Sequence, residues 1–600
     1  MQFPKLKPLQ TLQRTLEVFG GYNCRERIAD GEFSQMRNMT SDHYPVLAPR
    51  EKRGSAAAYP AGMTGVTVNN GICYTLGNCF YLPGGTPVEL ELTAGDKQLV
   101  SMGACVIILP DKKWINVAAC LDALEKGEEI PTDAYGQIEE TVEFQNFTVA
   151  ACNERGEKIY FTTSTTRPAD PVDGDLWVDK NETPPVIKEW IHASRAWVPR
   201  KSYLRVSYTG EHKVEKGDVF TADQISTILH EVVPTDVYLY VPKDPMILKV
   251  FEDGFLIEGL VDYMMFDGDD LTYITTNLPV TWKRTMPDMD LVVESGNRLW
   301  GCKFGSTEKG FLNEIYASKL GDFKNWNSFR GISTDSYVAS IGADGPFTGA
   351  ASFLGRPIFF KENAMIEVSG GYPAQDRVQT TPCDGVRAGC EKSTALVDNV
   401  LYYRSCNGIC AYDGSLPVPV GQALGQADYR NAVAGGCGSK YYISMEAEEG
   451  WHLFVYDAAR RLWHREDELR AKSFCAWRNR LFCLDADGSF FPMTDPEGTE
   501  TVSWMATTGP MGLSLPGSKY ISRLNLHLSV APGATVRLSA RYDHSPRWEP
   551  LYAITGTDLR SFTVPIRPKR CDHMMLRLEG TGMVKVYSLT EFIEKGSDVL

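Results

Sequence analysis

The 600-residue chain contains no apolar run near the roughly 18 residues that a membrane-spanning helix needs. Its longest apolar runs, such as Ala104 to Leu109, are strand-sized. The N-terminus, MQFPKLKPLQTLQR, carries basic residues with no apolar stretch behind them. The expectation is a protein without membrane insertion, made in a cytoplasm and held there until assembly. No GxxxxGK[ST] phosphate loop occurs, and no GxSxG elbow precedes a helical pattern. Phe19-Gly20-Gly21 lacks the flanking strand and helix of a dinucleotide fingerprint and reads as a flexible hinge. The 15 cysteines are odd in number and scattered, which argues against a disulfide framework. Cys406 and Cys410 are four apart and Cys383 and Cys390 seven apart, with no histidines clustered beside them. Buried reduced thiols are expected, without metal or cofactor.

Positive charge is also short: 61 Lys and Arg against 76 Asp and Glu leave a net charge of −15. That disfavours the broad basic face on which nucleic-acid affinity rests. An acidic wall would instead let DNA slide past without sticking, although acidity also serves solubility alone.

Helical spacing is confined to Thr221 to Glu231 and parts of Val117 to Glu128. Short runs of Val, Ile, Tyr, Phe and Leu fill most of the rest, punctuated by 53 glycines and 34 prolines. One unit recurs: a turn with Gly or Asn, an apolar strand, a turn, a second strand. It appears at Asn69 to Leu82, Met102 to Val117, Gly296 to Cys302 and Leu354 to Val368. It returns at Val397 to Tyr412, Gly438 to Tyr456 and Arg478 to Phe491. The later starts are about 40 residues apart, the length of a four-stranded propeller blade. A large sandwich or a set of unrelated sheets is the other reading of these degenerate copies.

The rhythm breaks between roughly 130 and 270, where Trp177, Trp190 and Trp197 are spaced for a small β-rich module with an aromatic core. Loops tolerate such insertions because their entropic cost grows slowly with length. After about residue 505 the pattern becomes strict alternation. Leu524, Leu526, Leu528 and Val530 alternate with Arg523, Asn525, His527 and Ser529. The same holds around Val536 to Ala540, Phe562 to Ile566 and Met574 to Leu578, so strands with one wet face are expected. The fold class is therefore mainly β: a β-propeller with an inserted small β-rich module and a C-terminal antiparallel β-sandwich. The expected divisions are an N-terminal arm and docking segment (1–55), first propeller strands (56–130), inserted module (131–275), main blades (276–505) and sandwich (506–600).

Certain phrases carry a family resemblance. They are Asn313 to Trp326 (NEIYASKLGDFKNW), Gly349 to Glu362 (GAASFLGRPIFFKE) and Gly371-Tyr372-Pro373. EVFGGYN (Glu17 to Asn23), GEFSQMRNMT (Gly31 to Thr40) and YPVLAPREKRG (Tyr44 to Gly54) add the opening. Together they resemble the tail hub or nozzle (tail tubular B-like) structural proteins of bacteriophages, over most of the chain outside the module. The resemblance implies a virion protein that forms a homohexameric ring on the tail axis. Its partners would be neighbouring tail or adaptor proteins and phage DNA passing without sequence-specific binding. Phe19, Gly20 and Gly21 in the arm, and Arg50, Lys52 and Arg53 in the basic turn, are then the candidate docking residues. For Arg50, Lys52 and Arg53 a solvated turn is the plainer alternative.

A peripheral tail or baseplate protein would contact host glycan or carry a fibre, with Trp177, Trp190 and Trp197 as stacking surfaces; a Trp-filled core is the plainer reading. A propeller hydrolase would need paired carboxylates. Asp267, Asp269 and Asp270, or Asp288 and Asp290, are the candidates, and turn-forming Asp accounts for them as well. His464 in WHRED is expected to close a blade strand, with Trp463 packed and the charges wet. The reading is structural, with no enzymatic activity.

Overall fold

The computed structural model describes residues 11–209, 214, 216, 218, 237–240, 245–263, 274–276, 280–307, 310–329, 333–370, 377–513, 515 and 517–595. The helical pattern Thr221 to Glu231, the FDGDD aspartates Asp267, Asp269 and Asp270, and Gly371-Tyr372-Pro373 lie outside the described residues.

Seven consecutive antiparallel sheets form a β-propeller among the described residues. The blades span residues 65–89, 98–137, 291–340, 349–382, 395–419, 430–465 and 471–492; the first six have four strands and the last has three. Each recurring sequence unit supplies the second strand of a blade, usually with the third. The turns that mark the units explain why they are legible. Leu354-Gly355, Asp398-Asn399 and Arg478-Asn479 each place two residues at positive φ between paired strands, the pattern of a type I′ hairpin. Gly103 and Gly438 hold a positive φ at the first turn position, as a type II′ turn does.

A blade is apolar on both faces, so each seam between blades has its own core. Ile107, Leu299 and Trp326 pack between blades 2 and 3. Trp300, Phe347 and Phe359 fill the next seam, and Tyr403, Tyr441 and Phe454 lie within the large cluster of blades 4 to 6. The first strand of blade 7 (Ala471–Trp477) touches that of blade 1 (Gly65–Val68), closing the ring. Met63, Tyr74, Phe482, Leu484 and Phe490 are buried in this closing seam. Residues 52–63 run along the outer edge of the three-stranded blade 7. Gly54 N–H donates to Pro492 O (3.0 Å), Gly62 N–H to Gly488 O (2.9 Å) and Asp495 N–H to Lys52 O (2.7 Å). The chain's early segment thus occupies the place of a fourth strand.

The helix Val117–Lys126 forms as its spacing predicts. Asn116 caps its start and Gly127, at φ 72°, ends it. It lies between the third and fourth strands of blade 2. The inserted module leaves the ring between blades 2 and 3. Its main sheet includes Glu140–Cys152, Tyr203–Thr209 and Gly254–Glu258, and a second sheet spans 162–199. The two share one core of Val149, Val178, Ile187, Leu204 and Phe255.

The C-terminal unit is an antiparallel sandwich made by one curled sheet. The 24-residue strand Lys519–Tyr542 pairs with Glu549–Val564 on one side and with Val584–Lys595 and then Met574–Thr581 on the other. Both of its ends reach the same short stretch, Lys519 opposite Cys571 and Tyr542 opposite Met574. Leu524, Leu526, Leu528, Val536 and Leu538 point into the core, as alternation requires. The segment expected as a separate arm is part of this sheet. Thr11–Leu16 pairs with Val584–Lys595, and Glu32–Arg37 pairs with Ser503–Thr508.

Phe490 is fully buried in the closing seam and packs edge-on with Tyr59 at 4.8 Å. Phe490→Ala should destabilise the protein by about 3–5 kcal/mol through transfer and cavity terms. Chemical denaturation checks this; a loss below about 1 kcal/mol would mean that the seam does not hold the ring.

Candidate functional site

The richest polar constellation lies where the N-terminal segment crosses from the sandwich to blade 6. That segment contacts Leu462–Arg465, the outer strand of the blade. Asn38 N–H donates to Glu466 O (2.7 Å) and Ser41 Oγ to Asp457 Oδ2 (2.6 Å). Arg50 grips Glu500 with two bonds, Nη1 to Oε2 at 2.9 Å and Nη2 to Oε1 at 2.7 Å. Its Nε donates to Asn38 Oδ1 (2.8 Å) and lies 3.6 Å from Glu466. Arg53 reaches Asp467 at 2.7 Å and Glu466 at 3.0 Å, and its backbone N–H donates to Glu500. Two arginines and three carboxylates thus join the N-terminal segment, the link from blade 6 to blade 7, and the approach to the sandwich.

The electrostatics follow from this burial. Desolvation pushes Glu466 above the usual carboxylate range despite the pull of Arg53 and Arg50. Burial works against the charge on Arg53 also, yet Asp467 and Glu466 outweigh it and hold the guanidinium protonated. Burial opposes the charge on Glu500 too, but bonds from Arg50 and the Arg53 backbone hold it below its ordinary value. A cleft of about 280 Å³ lined in part by Arg50, Asp467 and Glu500 opens on the cluster, and another of about 420 Å³ is lined by Tyr22, Gln35, Tyr429, Glu449, His452 and Arg465. Burial lowers the His452 pKa, and Arg465 lowers it further.

These placements revise the docking expectation. Arg50 is 5% exposed and Arg53 is tied into the same cluster, so neither is free for another molecule; Lys52 is exposed. Phe19 is buried in the sandwich core, where its ring lies 6.0 Å from that of Phe33. Gly20 and Gly21 do not form a flexible hinge. A Cβ on Gly21 would lie 2.5 Å from Trp463 O, and its φ of +82° suits glycine alone. Gly20 is half-buried against Glu32. Trp463 is packed as expected, but the charges of WHRED are not all wet: His464 and Glu466 are buried. What the sequence reading missed is that the Arg50 turn and WHRED meet; they are more than 400 residues apart, and no local pattern links them.

In the module the three tryptophans do cluster. Trp177 and Trp197 lie 5.5 Å apart, and Trp190 and Trp197 5.7 Å apart, as cross-strand partners. Trp177 is buried and its indole N–H donates to Ser164 O, so it serves the core. Trp190 and Trp197 are half-buried. Asp288 bonds Lys112 (2.6 Å), and Asp290 bonds Lys303 (2.6 Å) and the Phe304 N–H, so both are held in structural contacts. All fifteen cysteines are free. Among the described residues no three His, Cys, Asp or Glu side chains gather as a metal site.

No family model matches the chain, and no curated protein matches it. Solved structures overlap it weakly. An exo-β-1,3-galactanase from Phanerochaete chrysosporium is 8% identical with TM-score 0.20, covering 49% of this chain and 95% of its own. The Pyrococcus horikoshii acylaminoacyl peptidase is 10% identical with TM-score 0.23, covering 56% of each chain. The computationally designed protein Ika8 is 11% identical with TM-score 0.21, covering 49% of this chain and 92% of its own. Likeness at this level carries no inference about activity.

Two outcomes follow for the junction. Arg50→Ala leaves Glu500 without its side-chain cation and Glu466 with Arg53 alone, and should cost about 3 kcal/mol in chemical denaturation; a neutral result would show the cluster to be ornamental. Burial pushes His464 down to about 4, so the fold keeps it neutral. The unfolded chain binds that proton below about pH 6.5. Stability should therefore fall as pH drops from about 6.5 toward 4, by on the order of 3 kcal/mol, and level off below. His464→Asn should flatten that limb of a melting-temperature profile; an unchanged slope would assign it to other groups.

Proposed function

We propose that the protein is a structural component of a bacteriophage tail, a rigid propeller wedge in an axial ring that continues the DNA channel. The observation that carries this reading is the edge of the sandwich. Glu549–Val564 pairs only with Lys519–Tyr542 among the described residues, which leaves a 16-residue strand edge open. Leu559 and Tyr552 are exposed along it. Proteins normally cover or blunt edges of this length, and assembly with another chain is one way to cover them. The buried Arg50–Glu466 junction and the closed ring suit a mechanical part, because they couple the sandwich stiffly to the blades. The phrases shared with tail hub and nozzle proteins point the same way. Genome retention and release are the role such a ring would have, in a virion assembled inside a bacterial host.

Electron microscopy of the purified protein, alone and mixed with neighbouring tail proteins, tests the reading. Rings with a central opening wide enough for a DNA duplex are expected. A persistent monomer that never joins the tail axis would overturn it.

A second reading is favoured by Trp190 and Trp197, half-buried cross-strand partners whose buried indole N–H groups have no hydrogen-bond partner among the described residues. In a peripheral tail protein this pair would stack host-surface sugars. Glycan binding lost in a folded Trp190→Ala variant would support it.

A further inference from the structure

The charge of this chain is unevenly placed. Residues 501–600 hold 12 of its 61 Lys and Arg but only 8 of its 76 Asp and Glu, so an acidic protein ends in a basic domain. The excess gathers at one end of the sandwich. Asp543 accepts the backbone N–H groups of Asp572 and His573, which brings residues 541–549 against 567–577. Arg541, Arg547, Arg567, Arg570 and Arg577 belong to this end, and among the described residues none of them makes an ion pair. Arg541 Nε is buried and has no hydrogen-bond partner among the described residues. The guanidinium groups of Arg541 and Arg577 lie 5.1 and 4.1 Å from the Trp548 ring, which fixes two like charges side by side. Burial lowers the Arg577 pKa, and Arg541 lowers it further, against the pull of Glu579. Of the carboxylates within these stretches, Glu549 holds Lys569, Asp543 caps the backbone and Asp572 lies 3.3 Å from His573.

An acidic counterpart lies across the molecule. The helix Val117–Lys126 and the residues after it expose Asp122, Glu125, Glu128, Glu129 and Asp133, with Lys126 already bonded to Asp122. Leu124 is exposed among them. The helix belongs to blade 2, whereas the sandwich packs on the outer strand of blade 6, three blades away in a ring of seven. Complementary patches on nearly opposite sides of one chain cannot meet within it. They can meet between copies, head to tail, the arrangement that generates closed rings.

We infer that the arginine end of the sandwich (Arg541, Arg547, Arg567, Arg570, Arg577) docks on the acidic helix of blade 2 in a second copy of this chain. This rests on the ring reading above and supplies its contact. The guanidinium forks meet carboxylates, and Leu124 adds apolar area at the centre. A nucleic acid is less well matched, because the Trp548 ring that would stack a base already carries two arginines.

The test is mass photometry and electron microscopy of the full chain at low and high salt. One variant carries Arg547→Glu, Arg567→Glu and Arg570→Glu, and another carries Glu125→Lys, Glu128→Lys and Glu129→Lys. All six positions are exposed, and circular dichroism checks that each variant folds. Each variant alone should self-associate at least tenfold more weakly than the parent, and an equimolar mixture should restore assembly. Rings that form equally well from either variant would overturn this contact and leave the ring reading standing. A parent chain that stays monomeric at every concentration would overturn this contact, and the ring reading falls with it only if the chain also fails to form rings when mixed with neighbouring tail proteins. Loss of binding to a short DNA duplex in the arginine variant, with self-association unchanged, would reassign the patch to a polyanion.

Discussion

A propeller blade cannot bury its own two faces, so everything in this molecule depends on the ring closing. The seam between the last and the first blade is where closure happens. Phe482 and Phe490 stack there with their centroids 5.4 Å apart, against Tyr74 and Met63. Residues 52–63 then cover the outer edge of blade 7, which has three strands instead of four. A segment from the start of the chain thus completes a sheet formed near its end. Closure is consequently a long-range event, and the N-terminal segment is part of the structure rather than an appendage.

The same logic governs the sandwich. Its sheet takes Thr11–Leu16, Gly21–Tyr22 and Glu32–Arg37 from the beginning of the chain and everything else from the last hundred residues. Between these strands and the propeller runs the stretch that carries Asn38, Arg50 and Arg53. A buried arginine–carboxylate cluster is weak evidence for stability, since desolvation offsets much of the attraction. Its geometry does more: bidentate bonds from Arg50 to Glu500, and bonds from Arg53 to Glu466 and Asp467, leave the sandwich one way to sit on blade 6. Rigid coupling of this kind is why residues that look like a basic docking turn are interior.

What faces outward is therefore different from what local composition suggests. The exposed features are the long open edge at Glu549–Val564, Arg547, Arg567 and Arg570 at one end of the sandwich, and the acidic helix of blade 2. All three suit association; the edge strand begins beside the arginine end, at Glu549, whereas the helix belongs to blade 2. The inserted module presents a fourth face, with Trp190 and Trp197 half-buried on adjacent strands.

The sequence by itself determined the β class, the blade hairpins, the helix at Val117–Lys126 and the alternating strands of the sandwich. Each is encoded within a few residues: Asp398-Asn399 and Leu354-Gly355 turn a chain wherever they occur, and alternation at Leu524 to Val530 sets one face inward. Tertiary structure alone decided that seven blades close a ring, that Thr11–Leu16 joins the C-terminal sheet, and that Arg50 meets Glu466 and Glu500. It also decided that Trp177 is core while Trp190 and Trp197 reach the surface. The physical reason is sequence distance. A turn or an alternating strand is a local preference of the backbone and its side chains. Which arginine loses its water to which carboxylate depends on contacts across hundreds of residues, and these exist only once the sheets have packed.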